Sequence, residues 1–291
     1  MSPRSESGKR PWTSALLWAL AVLIMLTAAS YQRRTGPTYE LEGEFRMGED
    51  VFSYSLIRSE YTTTDAAVVI PDPGDDVEAR LVFRRYPTDD PLTRVPMESV
   101  EGDLVGLLPA QPAAGHLEYF IELEAGEGTL RVPAEETALI RFKDPVPAWA
   151  LVPHILFMFF ALLVGVRTGL GALVHPPGLR KLTWTTLALM TVGGMVLGPI
   201  VQKYSFGAFW TGWPFGYDLT DNKTLVMWLV WLGAALLVWR GKDPRNRLAR
   251  GGIVVAAVVM LAVYLIPHSA QGSQLDYSEL EEERTTEEVR R

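Results

Sequence analysis

Four runs, Trp149 to Val166, Leu182 to Val201, Leu225 to Trp239 and Ile253 to Ile266, are each 14 to 20 residues long and almost free of charge, and they fall within about 120 residues. A helix in a soluble protein keeps one polar face for water, and these runs keep none. They sit at the short end of what crosses a bilayer at 1.5 Å per residue, but aromatic residues near their ends extend them into the interface. Trp149, Trp184, Tyr204, Trp228, Trp239 and Tyr264 hold those places. A fifth run, Trp12 to Ser30, follows Arg4, Lys9 and Arg10. Its length fits an uncleaved signal-anchor, while the small residues Thr27 to Ser30 also fit a cleavage site. Either way the segment after it is exported.

Between Tyr39 and Phe142 the apolar period changes to two. The segments at 39–45, 51–56, 66–70, 77–83, 104–107, 117–123, 129–132 and 138–142 alternate or run apolar, with Pro, Gly and Asp between them. Seven or eight short strands over about 105 residues predict an antiparallel β-sandwich. The organisation that follows is a cytoplasmic N-terminus (1–11), a transmembrane signal-anchor (12–30), an exported β domain (38–144), four further transmembrane helices (147–268) with an outer aromatic loop (203–223), and an acidic tail (269–291) expected to be disordered or a short solvated helix. The short loops set orientation. With the N-terminus inside, the inner segments carry Arg4, Lys9, Arg10, Arg167, Arg180, Lys181, Arg240, Lys242, Arg245, Arg247 and Arg250, against Lys203 and Lys223 in the outer loop. Arg33 and Arg34 oppose this assignment and are outnumbered.

Charge and composition exclude several function classes. The β segment 38–144 carries 9 Lys+Arg against 23 Asp+Glu, so its surface repels nucleic acid and anionic headgroups and suits a cationic partner. With no cysteine there is no disulfide, thiolate metal site or Cys nucleophile. No phosphate-binding loop, G-x-S-x-G or H-E-x-x-H motif occurs, which speaks against a conventional enzyme. The spans are also expected to hold no buried Asp, Glu or Arg, which speaks against a transport path.

The loop Phe206 to Lys223 stands out because it gathers Phe206, Phe209, Trp210, Trp213, Phe215 and Tyr217 and then turns acidic. Asp218, Thr220, Asp221 and Asn222 precede an apolar run, where they would cap the next helix or fix the loop; as oxygen ligands for a hard cation they are too few. Lys223 is expected to snorkel to the interface. Gly194 and Gly198 fit small-residue helix packing, and Pro199 a kink. Among the histidines, His154 lies about two turns into its helix and His268 at the outer end of the last one, both on the loop's side. Neutral imidazoles there are candidate cofactor ligands. His116, beside a glycine at a turn, is expected on the surface, and His175 in an inner Pro-Pro-Gly turn has no assigned role.

Two resemblances add to this. Gly102 to Pro109 followed by Gly115 to Glu122 resembles immunoglobulin-like modules, and the chain as a whole resembles multipass bacterial membrane proteins with an exported Ig-like domain; that implies architecture and no activity. The order Gly207, Trp210, Trp213, Asp218, Lys223, Thr224, Trp228 is similar to the outward loop of the tryptophan-rich haem-handling proteins of c-type cytochrome assembly, although Pro214 to Tyr217 separates Trp213 from Asp218. Two functions follow. The first is a non-enzymatic inner-membrane scaffold or accessory subunit, with no cofactor, that meets a protein partner through the acidic β domain or the aromatic loop. The alternative is a haem or quinone site with His154 and His268 as ligands, roofed by Trp210, Trp213 and Phe215.

Overall fold

The computed structural model describes residues 11–74, 76–126, 128–174, 178–240, 246–267, 274–278 and 280. Its contacts divide into a helical unit (Met1–Thr35, Pro147–Val201, Phe209–His268) and a β unit (Gly36–Val146, Gln202–Ala208, Ser269–Arg291). Neither His175 nor His268 is among the described residues.

The helices are α1 (Pro11–Thr35), α2 (Ala148–Val174), α3 (Leu179–Met190), α4 (Gly198–Phe206), α5 (Leu219–Arg240) and α6 (Arg247–Leu265). A π-helical segment, Thr191–Leu197, joins α3 to α4 without a break, so that Leu179–Phe206 is one long helix. Among the described residues, five helices are long and apolar enough to cross a membrane, as a multi-pass membrane protein requires. Each of these helices extends beyond the apolar run that announces it, because polar residues are accommodated at the helix ends. In α2, Thr168 returns its hydroxyl to the Val164 carbonyl at 2.6 Å. The helical core centres on Trp231, which is fully buried and donates its indole N–H to Met260 Sδ at 3.2 Å. The outward face of α1 is apolar, with Trp12, Leu16, Leu23 and Leu26 exposed, as lipid contact requires.

The π segment has a local cause. Pro199 has no amide hydrogen and its ring crowds the carbonyl of Met195, so the helix loses an ordinary turn there. The register shifts by one, and Gly198 N–H bonds back to Gly193 O. A Cβ at Gly193 would lie 2.8 Å from Phe157 Cβ, and one at Gly194 2.8 Å from Thr224 Cγ2. Gly193 and Gly194 therefore make the close approaches to α2 and α5, while a Cβ at Gly198 would meet nothing nearer than 3.6 Å.

The β unit contains β1 (Leu41–Met47), β2 (Asp50–Leu56), β3 (Ser59–Tyr61), β4 (Ala66–Pro71), β5 (Val77–Arg85), β6 (Thr93–Pro96), β7 (Glu98–Val100), β8 (Asp103–Leu108), β9 (His116–Ala125), β10 (Gly128–Val132) and β11 (Ala138–Lys143). Eleven strands among the described residues exceed the seven or eight expected. The short strands β3, β6 and β7 bury almost nothing, so no apolar alternation announces them. Pairing is antiparallel except between β3 and β11, which run parallel. The larger sheet is ordered β3-β11-β9-β5-β6 with β10 also on β9, the smaller β4-β8-β7, and β1 pairs with β2. Residues of both sheets share one core, with Val68, Ile70, Leu104 and Leu108 from the smaller and Leu81, Ile121, Leu123 and Ile140 from the larger.

Strand β9 shows the pattern most clearly. Leu117, Tyr119, Ile121 and Leu123 point inward, and Glu118, Glu122 and Glu124 outward. Those carboxylates face Arg84, Arg94 and Arg80 on β5 and β6, so cross-strand ion pairs neutralise part of the acidic surface. At the centre, buried Tyr119 donates its hydroxyl to Ile57 O at 2.7 Å. Replacing Tyr119 with Phe leaves that carbonyl without its donor and should cost about 1–3 kcal/mol. Urea denaturation of the detergent-solubilised chain, followed by amide exchange of β9, measures it; an unchanged midpoint contradicts the role of this bond.

Candidate functional site

The aromatic loop is a fixed structure built on the start of α5. Asp218 Oδ1 accepts from Thr220 N–H (2.8 Å) and Asp221 N–H (3.2 Å), so it serves as the helix cap. Asp221, in the first turn of α5 and buried, reaches back: its Oδ2 accepts from Thr211 N–H at 2.6 Å and Gly212 N–H at 3.0 Å. Asn222 Oδ1 accepts from Trp213 N–H at 2.7 Å. Inside the loop, Trp210 Nε1 donates to Trp213 O at 3.0 Å, and Phe215 and Gly216 both bond Gly212 O at 2.9 Å. Gly212 must be glycine, since a Cβ there would press on Asn222 Oδ1 at 2.9 Å and on the Asp221 side chain.

The outcome of this bonding is display. Trp213 is 66 % exposed, Phe215 84 % and Tyr217 95 %, on a loop whose backbone is tied to Asp221 and Asn222 and to itself. The oxygens of Asp218, Asp221 and Asn222 face backbone amides of the same loop, and no group of three His, Asp or Glu side chains suited to a metal occurs among the described residues.

Lys223 differs from expectation. Its side chain is buried and does not snorkel: Nζ donates to Ile266 O and Pro267 O, both at 2.9 Å, and so closes the open carbonyls at the end of α6. Helix ends supply a strong acceptor pair, and an ammonium one helix away satisfies it better than interfacial water.

His154 is half-buried, and its Nδ1 lies 2.9 Å from Gly193 O. A carbonyl only accepts, so Nδ1 carries the proton and Nε2 presents a lone pair. The same carbonyl accepts Gly198 N–H, which pins the imidazole to the π segment. Among the described residues no hydrogen bond or ring contact joins His154 to Trp210, Trp213 or Phe215. The structure thus brings the aromatic loop together with Asp218, Asp221 and Asn222, and leaves His154 with Gly193. His268, the other histidine of that set, lies outside the described residues.

Three residues escaped sequence reasoning. Arg167 was expected in an inner loop and the spans free of arginine; α2 instead continues to Val174, and Arg167 is 3 % exposed within it. Its Nη2 donates to Ser14 Oγ at 3.3 Å and its guanidinium sits 5.4 Å from the Trp18 ring centre. The partners come from α1, far away in sequence, and no local pattern announces them. His116 was expected on the surface; it is buried at the start of β9, where the turn before it folds over and Tyr277 covers it. Tyr277 itself lies in the tail that was expected to be solvated. Its one signal is being a lone tyrosine between Leu275 and Leu280 in a polar stretch.

No protein-family model matches the chain, and no curated protein matches it.

Two outcomes follow. Asp221→Ala leaves the Thr211 and Gly212 amides without their acceptor, which should cost about 1–3 kcal/mol locally; amide exchange at residues 209–216 and protease cutting there should rise, and unchanged rates refute the anchoring role. For His116, burial and the Arg141 guanidinium push the imidazole down from its ordinary 6.5 to about 4. The unfolded chain takes up the proton near pH 6.5 and the folded one only near 4, so this residue's contribution is complete above pH 6.5 and is lost as pH falls toward 4. The loss is on the order of 3 kcal/mol. The protection factors of the β9 amides, exchange rates divided by their intrinsic pH-dependent rates, should therefore fall between pH 7 and 5, and His116→Leu should flatten that dependence; wild-type protection factors with no slope contradict it.

Proposed function

We propose that this chain is a non-enzymatic integral scaffold or accessory subunit of the bacterial inner membrane, with its N-terminus inside and the β unit, the aromatic loop and the C-terminus outside. The observation that carries this reading is the loop 209–218. A chain that fixes Trp213, Phe215 and Tyr217 on a hydrogen-bonded platform and leaves them uncovered has a surface fitted to a neighbouring membrane subunit. Aromatic side chains give large contact area with little rotamer entropy to lose, which is why they anchor interfaces. The two sheets around one core support an immunoglobulin-like sandwich as the exported partner-binding domain. Orientation is supported by Arg180 and Lys181 at the start of α3, Arg240 at the end of α5 and Arg247 at the start of α6, all at one end of their helices.

A second reading, a haem or quinone site serving cytochrome assembly or electron transfer, is favoured by one observation: the tautomer of His154 is fixed by Gly193 O, and its Nε2 lone pair remains. Its roof would have to form from Trp210, Trp213 and Phe215 on binding. A Soret band that shifts on dithionite reduction and disappears in His154→Ala would establish it, and an unchanged band in His154→Ala would remove His154 from the site.

The scaffold reading is tested by a photoreactive phenylalanine analogue placed at Phe215 in native membranes. A discrete protein adduct is expected there, reduced several-fold when Trp213 and Tyr217 are both alanine. The same adduct pattern from a lipid-facing position such as Trp184 would contradict it.

A further inference from the structure

The C-terminal segment and the β unit meet in a way that partner binding by the β unit does not require. Tyr277 inserts its ring into the β unit and is 6 % exposed, while Gln274, Asp276 and Ser278 around it stay exposed. Its hydroxyl accepts from His116 N–H at 3.1 Å and lies 3.1 Å from both His116 O and Gln111 Oε1, to which its proton is directed. Leu275 N–H donates to Ala114 O at 3.1 Å, and the Arg85 guanidinium stands 5.0 Å from the ring centre. The tyrosine side chain and the Leu275 amide both anchor the segment.

The walls of this socket belong wholly to the β unit. They come from the turn that leads into β9 and from the end of β5, more than 160 residues before the tyrosine. The turn is specialised. Ala114 adopts φ +66°, a conformation unfavourable for a side-chain-bearing residue, and Ala114 N–H and Phe142 N–H tie it to β11 through Phe142 O and Gly115 O. A Cβ at Gly115 would lie 2.9 Å from the tyrosine hydroxyl and 2.8 Å from Pro112 O, so only glycine leaves room for the phenol. The floor offers a backbone N–H, a backbone carbonyl and an amide oxygen to one hydroxyl. Phenylalanine in this position would strand the His116 N–H and take a donor from Gln111 Oε1, while His116 O would keep the Tyr86 N–H at 3.0 Å. The rim carries a cation beside a segment whose sequence is acidic.

From this geometry we propose that the β unit holds a tyrosine-selective peptide-binding socket, formed by Arg85, Gln111, Ala114, Gly115 and His116, and that residues 274–278 are its tethered ligand. The class of ligand is a short acidic peptide whose tyrosine enters the socket at the start of a helical turn, capped by the aspartate before it, while the residue two positions before the tyrosine donates its amide to Ala114 O. Resting on the scaffold reading, this gives the β unit a defined recognition chemistry: a partner engages by presenting such a tyrosine in exchange for the chain's own. Tethering raises the local concentration of the tail to about the millimolar range, so only a multivalent or locally concentrated partner competes.

The test uses the chain ending at Ala270, purified in detergent, and a fluorescein-labelled peptide of residues 272–281. Saturable polarisation binding to the truncated chain is expected, with none to the intact chain at the same concentrations. The peptide with Tyr277→Phe should bind at least about fivefold more weakly, the loss of one buried hydroxyl's bonds. Equal binding of the two peptides, or no saturable binding while β9 keeps its amide protection, overturns the proposal. If the truncated chain does not fold, full-length Tyr277→Ala replaces it with the same readout; a β unit that unfolds in both overturns the proposal too, since the socket then has no existence apart from its ligand. None of these outcomes bears on the adducts expected at Phe215, so failure here and failure of the scaffold reading are told apart.

Discussion

Within an apolar helical unit no backbone N–H or C=O can go unpaired, and most of the polar side chains there answer to that requirement. Lys223 closes the Ile266 and Pro267 carbonyls at the end of α6. Arg250 Nε does the same for Ala172 O at the end of α2, at 2.7 Å. Gln32 Nε2 donates to Tyr264 O near the end of α6; His154 adds a second bond to Gly193 O in the π segment, and Thr168, Thr183, Thr186 and Thr191 each place a hydroxyl proton on the carbonyl four before. Ionisable residues in such a setting invite a functional reading, and here the geometry gives most of them a structural occupation first.

Against this background Arg167 and the aromatic loop are exceptions of opposite kinds. Arg167 is a buried cation set against Trp18 and Ser14, with Nε and Nη1 unpaired among the described residues. The loop inverts the rule: its polar groups are satisfied inwardly by Asp218, Asp221 and Asn222, and its apolar groups face outward. A surface of that kind is held in place by the fold and uncovered by it, and the scaffold reading rests on this combination.

The sequence showed the helices and the central strands well, because both are written in local periods. The five apolar runs announce five long helices, and the alternation in Leu117 to Leu123 announces β9 with its correct inward face. What stayed hidden depends on partners distant in sequence. The strands β3, β6 and β7 exist because a neighbour offers an edge, and the depth of Arg167 because α1 supplies Trp18. The burial of Lys223 follows from where α6 ends, and that of His116 from a tyrosine more than 160 residues on. At the loop, the acidic residues and the aromatics are both visible as a group; the division of labour between them, anchors inside and display outside, depends on the bonds from Asp221 and Asn222 back across about ten residues to Thr211, Gly212 and Trp213.

The proposed scaffold role requires that the aromatic loop and the β segment are both exposed outside the inner membrane. The chain has no cysteine, so single cysteines report position without background. Cysteines placed at Phe215, at Val100 of β7 and at Lys181 of α3 should be treated with a membrane-impermeant maleimide in intact cells whose outer membrane has been made permeable. Phe215→Cys and Val100→Cys should be labelled at once, and Lys181→Cys only after the inner membrane is opened. Labelling of Lys181→Cys in intact cells with protection of Phe215→Cys would contradict the account at its centre.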